Sequence, residues 1–131
     1  MFPLERFDPY SDLEAIAQMK LNTLEKDGIV VLEPKGKIMG GPDATILHDK
    51  LHEYIQQGKK KVVIDMSKVE WMNSTGLGIL ISGLTTLRNN QGELRLANVT
   101  GKIQSLLTIT KLITVFEAFD SVEDAVKSFQ D

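Results

Sequence analysis

The sequence predicts an α/β fold: a mostly parallel sheet of four to five strands, opened by an N-terminal hairpin and carrying about four helices. Three observations predict it. Two strand-like runs, Leu21–Glu25 and Ile29–Leu32, flank Lys26-Asp27-Gly28, and the Asp-Gly dipeptide favours a tight hairpin turn. From Pro42 to the end, segments of helical periodicity alternate with short strand-like runs, and strands joined through helices need crossovers, hence parallel pairing. Val62-Val63-Ile64 is continuously apolar, as a central strand covered on both faces must be.

Each element has its own signal. Pro34 and Gly36 are expected to end the hairpin, because proline removes a ladder donor and glycine weakens a strand. A helix fits Asp43–Gln57, with Pro42 near its first turn, Gly58 just past its end, and Ala44, Leu47, Leu51, Tyr54 and Ile55 on one face. After the Val62–Ile64 strand comes a connection, then a second helix from Ser74 to about Asn90, its stripe formed by Leu77, Leu80, Ile81, Leu84 and Leu87. Glu93–Ala97 alternates like a strand with one solvated face. Thr100–Thr108 fits a short helix through Ile103, Leu106 and Leu107, and Val115–Phe119 a last strand. Ser121 is placed to cap a closing helix whose inner face is Val122, Ala125, Val126 and Phe129. Residues 1–19 read as an N-terminal extension, in which Ser11-Asp12-Leu13-Glu14 has the spacing of a capping box and Leu13, Ile16 and Ala17 would form one stripe of a short helix. Residues 20–131 form the domain proper.

Composition narrows the function. Of 131 residues, 42% are apolar and 25% charged, which is ordinary for a globular domain able to bury one core. The net charge of −3, with dispersed lysines, argues against nucleic-acid binding, which rests on clustered positive charge. There is no cysteine, so thiol catalysis, disulfides and thiolate metal sites are excluded. No apolar run approaches the roughly 20 residues that cross a bilayer, and the start lacks the basic and apolar regions of a signal peptide. A cytoplasmic protein without membrane contact is expected.

The informative stretch runs from Val63 to Gly78. A buried strand leads through a connection to a helix opening at Ser74, and serine is a favoured N-cap because its hydroxyl accepts a bond from a free first-turn amide. Gly76 and Gly78 fall in the first turns of that helix, where glycine costs about 1 kcal/mol relative to alanine. A missing side chain there lets another backbone or a partner surface approach closely.

This stretch resembles the STAS domain of anti-sigma factor antagonists, found also in the cytoplasmic tails of sulfate transporters. The resemblance is carried by Asp65-Met66-Ser67, Val69, Met72 and Asn73-Ser74-Thr75-Gly76-Leu77-Gly78, and by the order of elements from Leu21 to Phe129. It implies a STAS-like fold and a non-enzymatic regulator with no cofactor of its own. Ser74 would be the phosphate acceptor, with Asn73, Thr75, Gly76, Trp71 and Met39 facing a partner. The implied partners are an anti-sigma factor that is also a serine kinase, bound when Ser74 is unphosphorylated, and a serine phosphatase that reverses the modification; ATP and magnesium belong to the kinase. The chain departs from the family pattern at two places. Neutral Asn73 stands where the family usually has Asp, and Gly36-Lys37-Ile38-Met39-Gly40-Gly41 replaces a Gly-x-Leu-Asp segment.

Plainer readings stand beside these. Ser74 can be a helix cap and nothing more. His48 and His52 have the spacing of a shared metal pair, yet with no cysteine and no third histidine they read as a pair beside the Leu47/Leu51 stripe, so no metal site is expected. The glycines of 36–41 and 76–78 match neither a P-loop nor a dinucleotide fingerprint, although a helix start after a strand can hold a phosphate. Lys59-Lys60-Lys61 is expected to be a solvated flank. Trp71 is either core or an interface contact. A STAS-type scaffold or transporter-associated binding module without phosphate turnover is the alternative function. No nucleophile with a nearby base appears, so an enzyme is not expected.

Overall fold

The computed structural model describes residues 19–112 and 114–130. Its elements are β1 (Met19–Lys26), β2 (Ile29–Ile38), α1 (Pro42–Gln56), β3 (Lys61–Asp65), β4 (Val69–Met72), α2 (Ser74–Asn89), β5 (Glu93–Ala97), α3 (Gly101–Ile109), β6 (Ala118–Phe119) and α4 (Val122–Gln130). The expected extension helix near Ser11–Ala17 lies outside the described residues.

The fold class is the expected one, an α/β sheet begun by a hairpin. β1 and β2 pair antiparallel around Asp27 and Gly28, whose positive φ angles of 54° and 80° are those a type I′ turn requires. All other pairings are parallel, in the order β1-β2-β3-β5-β6, with β4 pairing β2 beyond the end of β3. Alternation then sorts the side chains. Val30, Leu32, Val62, Ile64, Leu94 and Leu96 face a large core under α1, α2 and α3, whereas Ile29, Val31, Val63 and Ala97 face a smaller one under α4. The apolar runs in β2 and β3 are continuous for this reason.

Three expectations need correction. Pro34 and Gly36 do not end the hairpin; β2 continues to Ile38. The Gly36 N–H bonds the carbonyl of Lys68, so the missing donor of Pro34, two residues earlier, faces the same way, into the gap where β2 leaves β3 for β4. A ladder that changes partner there has no bond for proline to break. The stretch before Ser74 is also more than a connection: Val69–Met72 is a strand, giving the sheet six strands. The last strand is shorter than expected, two residues rather than five. Ser121 does cap α4, its Oγ accepting from the amide of Asp124 at 3.0 Å.

Helix ends follow their local chemistry. α1 begins with Pro42 in its first turn and ends at Gly58, whose φ of 78° suits a glycine past a helix terminus. Its buried side includes Ile46, absent from the expected stripe, and Asp43.

Candidate functional site

The site lies on one rim of the sheet, where β2 and β4 end and α1 and α2 begin. Its framework starts at Asp65, which closes β3. The Asp65 carboxylate accepts from the backbone amide of Ser67 at 3.0 Å and from Asn98 Nδ2 at 3.0 Å. That side-chain turn bends the chain out of β3 and into β4, which is what an Asp-x-Ser strand end is suited to do. Lys68 in the same turn donates to Glu33 on β2 at 2.9 Å; the hydrogen bond to that carboxylate raises the lysine pKa above its ordinary value. β4 then returns to β2, pairing Lys37 with Trp71 and Ile38 with Met72.

The start of α2 differs from expectation. Asn73, not Ser74, is the N-cap: its Oδ1 accepts from the amide of Gly76 at 2.7 Å, while its backbone is extended. Ser74 is therefore the first helical residue. It is exposed, and its hydroxyl makes no hydrogen bond among the described residues. With Oδ1 committed to the cap, the Asn73 Nδ2 is left to donate, and it reaches the Met39 carbonyl at 3.4 Å. A carboxylate at position 73 would cap equally well but would lose that donor.

The β2–α1 loop is fastened from its other side by Asp43. This carboxylate, 1% exposed, accepts from the amide of Met39 at 2.9 Å and from that of Met19 at 3.2 Å. Asp43 thus ties the first residue of β1 and the loop to α1, while Asn73 ties the same loop to α2. Sequence reasoning passed over Asp43, because an acid in a first helical turn looks like ordinary compensation of the helix dipole.

Two glycines make the rim compact. A Cβ on Gly76 would lie 1.8 Å from the carbonyl oxygen of Ile38, so α2 can sit on the end of β2 only with glycine there. Of the two approaches open to it, the backbone of β2 makes the one at Gly76, which is buried. Gly40 has a φ of 114°, and a Cβ on it would lie 2.6 Å from Thr75 Cγ2. Gly78 is different: it is exposed, with nothing within 4 Å of where its Cβ would be.

The fold thereby brings Met39, Asn73, Ser74 and Thr75 into one surface. Met39 is half-buried, and Ser74 and Thr75 are exposed. Trp71 is 44% exposed on β4, just before the helix, so it belongs to the surface rather than to the core. His48 and His52 stand elsewhere, on α1, with ring centroids 4.2 Å apart. Lys59 precedes β3 and Lys61 opens it, at the opposite end of the sheet, Lys59 pairing with Glu25 at 3.0 Å.

Comparison with known proteins agrees with this geometry. Residues 20–125 match the STAS domain. BtrV of Bordetella bronchiseptica is 26% identical over 112 residues, covering 86% of this chain and 96% of that one. The anti-sigma-B factor antagonist of Staphylococcus aureus is 30% identical over 77 residues, 59% of this chain and 71% of its own. The crystal structure of an anti-sigma factor antagonist from Mycobacterium paratuberculosis superposes with a TM-score of 0.73 at 23% identity, covering 86% of this chain and 95% of that one. By sequence match over most of its length and by architecture, the chain belongs to the STAS domain family.

Proposed function

We propose that this chain is an anti-sigma factor antagonist that works by partner switching at Ser74. Unphosphorylated, it binds an anti-sigma factor that is also a serine kinase; phosphate on Ser74 ends that binding, and a serine phosphatase restores it. The observation that carries the reading is the free, exposed hydroxyl of Ser74 at the first position of α2, beside an N-cap that another residue already supplies. A kinase can reach that oxygen, and modifying it breaks no internal bond.

Charge supplies the switch. A phosphate adds about −1.5 to −2 charges and is tolerated at a helix N-terminus, where free amides and the dipole favour anions. Under a docked partner the same dianion, desolvated and without a matching cation, costs several kcal/mol. About 3 kcal/mol already lowers affinity more than a hundredfold. Trp71, Met39, Asn73 and Thr75 would supply the contact surface around it, Trp71 as an aromatic anchor; Gly76 would act through the rim geometry that its missing side chain permits. In this reading the chain is a binding module rather than an enzyme, and it acts in the cytoplasm.

Incubation with the cognate serine kinase and ATP is expected to add one phosphate to the wild type and none to Ser74→Ala, read as a single mass increment on the intact protein. An unmodified wild type, with a kinase shown active on another substrate, would count against the switch. That result would favour the second reading, a STAS-type scaffold without phosphate turnover, to which the neutral residue at position 73 lends weight.

A further inference from the structure

His48 and His52 have no part in the reading above. They are the chain's only histidines, and they stand four residues apart on α1, the spacing that sets two side chains on one face of a helix. Two imidazoles do not complete the four-ligand shell of a structural zinc site. Among the described residues no group of three or more His, Cys, Asp and Glu side chains is placed to hold a metal. A two-nitrogen chelate is a different object, since its other positions stay with water.

Three features of the fold suit the pair to that task. The rings are already together, with centroids 4.2 Å apart and planes at 44°. A zinc–imidazole bond is about 2.0–2.1 Å long, so rings this close can share one cation by side-chain rotation alone. The backbone beneath them is fixed, because Leu47 and Leu51, the residue before each histidine, are buried in the large core. The second feature is a carboxylate: Asp49 Oδ1 lies 3.5 Å from His48 Nδ1. A carboxylate at one ring nitrogen orients the imidazole and leaves the other nitrogen, Nε2, to the metal. The third is the setting. Both histidines line a cleft of about 350 Å³ between α1 and α2, which has room for coordinated water and no lysine or arginine to repel a cation. His48 is exposed, so a cation enters from solvent.

The donors select the ion. Imidazole nitrogens suit zinc, nickel and copper, whereas magnesium and calcium take oxygen ligands. We propose that His48 and His52 chelate one divalent cation of the class Zn²⁺, Ni²⁺ or Cu²⁺ on the α1 wall of the cleft. Thr75 lines the same cleft, so the bound ion borders the proposed partner surface. Its capture by the free chain does not depend on whether Ser74 accepts phosphate.

With no cysteine and two histidines, the test is clean. Calorimetric titration of the full-length protein is expected to show one Zn²⁺ per chain, with a dissociation constant below about 1 mM, and no binding of Mg²⁺ in that range. A cation held only by the folded helix also stabilises it, so Zn²⁺ should raise the thermal unfolding midpoint. His48→Gln and His52→Gln keep a good helix former on α1, and each alone should remove both the saturable binding and the midpoint rise. Ser74→Ala should bind Zn²⁺ as the wild type does. The proposal is overturned by Zn²⁺ binding that survives in either histidine variant, by Mg²⁺ binding equally well, or by no saturation up to about 1 mM Zn²⁺. One Zn²⁺ per two chains would overturn it too, by placing the metal between copies.

Discussion

Two glycines two residues apart in α2, Gly76 and Gly78, test how the rim is built. At Gly76 an added methyl meets the Ile38 carbonyl at 1.8 Å, and backbone on both sides leaves nothing flexible to yield. Gly76→Ala is therefore expected to destabilise by about 3 kcal/mol, the upper part of the range for overpacking. Gly78→Ala meets nothing and should stabilise by roughly 0.5–1 kcal/mol through helix propensity. Urea unfolding of the two variants measures both, and equal effects would remove the close approach of α2 to β2 from the account. Position 73 sets two opposed terms against each other. Asn73→Asp gains about 0.3–1 kcal/mol at the helix N-terminus but gives up the Nδ2 bond to Met39, worth about 0.5–1.5 kcal/mol at ideal geometry and less at 3.4 Å. Global stability should change by less than about 1 kcal/mol by this balance. The visible effect should be faster amide exchange in the Met39–Gly41 loop, whereas Asn73→Ala loses cap and loop tie together and should cost about 1–2 kcal/mol.

At the scale of elements, the loop between β2 and α1 is held from two sides, and Asp43 is the stronger hold. Replacing it with alanine leaves the buried amide of Met19 without its acceptor, at about 1–3 kcal/mol, and the part-buried amide of Met39 at the lower end of that range. Asp43→Ala is expected to lower stability by roughly 2–5 kcal/mol and to release the first residue of β1, measured as early exchange of residues 19–21. None of this was visible in the sequence, because burial of a first-turn acid depends on where β1 begins, and no local pattern encodes it. The elements themselves were legible where a period persists: the stripe of α2 from Leu77 to Leu87 and the unbroken apolar run of β3 each point to one solution. β4 was not, since four residues with only Val69 and Met72 buried offer too little alternation to be told from a turn. Pro34 misled for the opposite reason. A breaker signal is valid only where a ladder bond is due, and the partner change in β2 removes that bond. The motif around Ser74 was legible as residues, but which of them caps the helix was not. Asn and Ser cap about equally well, and the extended backbone at position 73 decides it.

The molecule as a whole separates stability from signalling. Both cores lie away from Ser74: α2 is anchored by Leu77, Leu80, Leu84 and Leu87, and the sheet by strands covered on two faces. Charge placed at the helix start therefore meets a scaffold that owes that residue nothing. Ser74→Asp adds one negative charge to a chain of net charge −3, at a terminus that favours anions. Its unfolding free energy should match the wild type or exceed it by about 0.3–1 kcal/mol, with an unchanged denaturant slope because the same surface is buried. Against an anti-sigma partner the same substitution should weaken binding, with a loss approaching a hundredfold if the carboxylate is buried without a cation and only a few-fold if it stays at a wet edge. Urea unfolding and calorimetric titration, run on one preparation, separate the two effects. A variant that lost stability and affinity together would show that position 74 belongs to the fold, and a variant that lost neither would leave the exposed hydroxyl without a role in association.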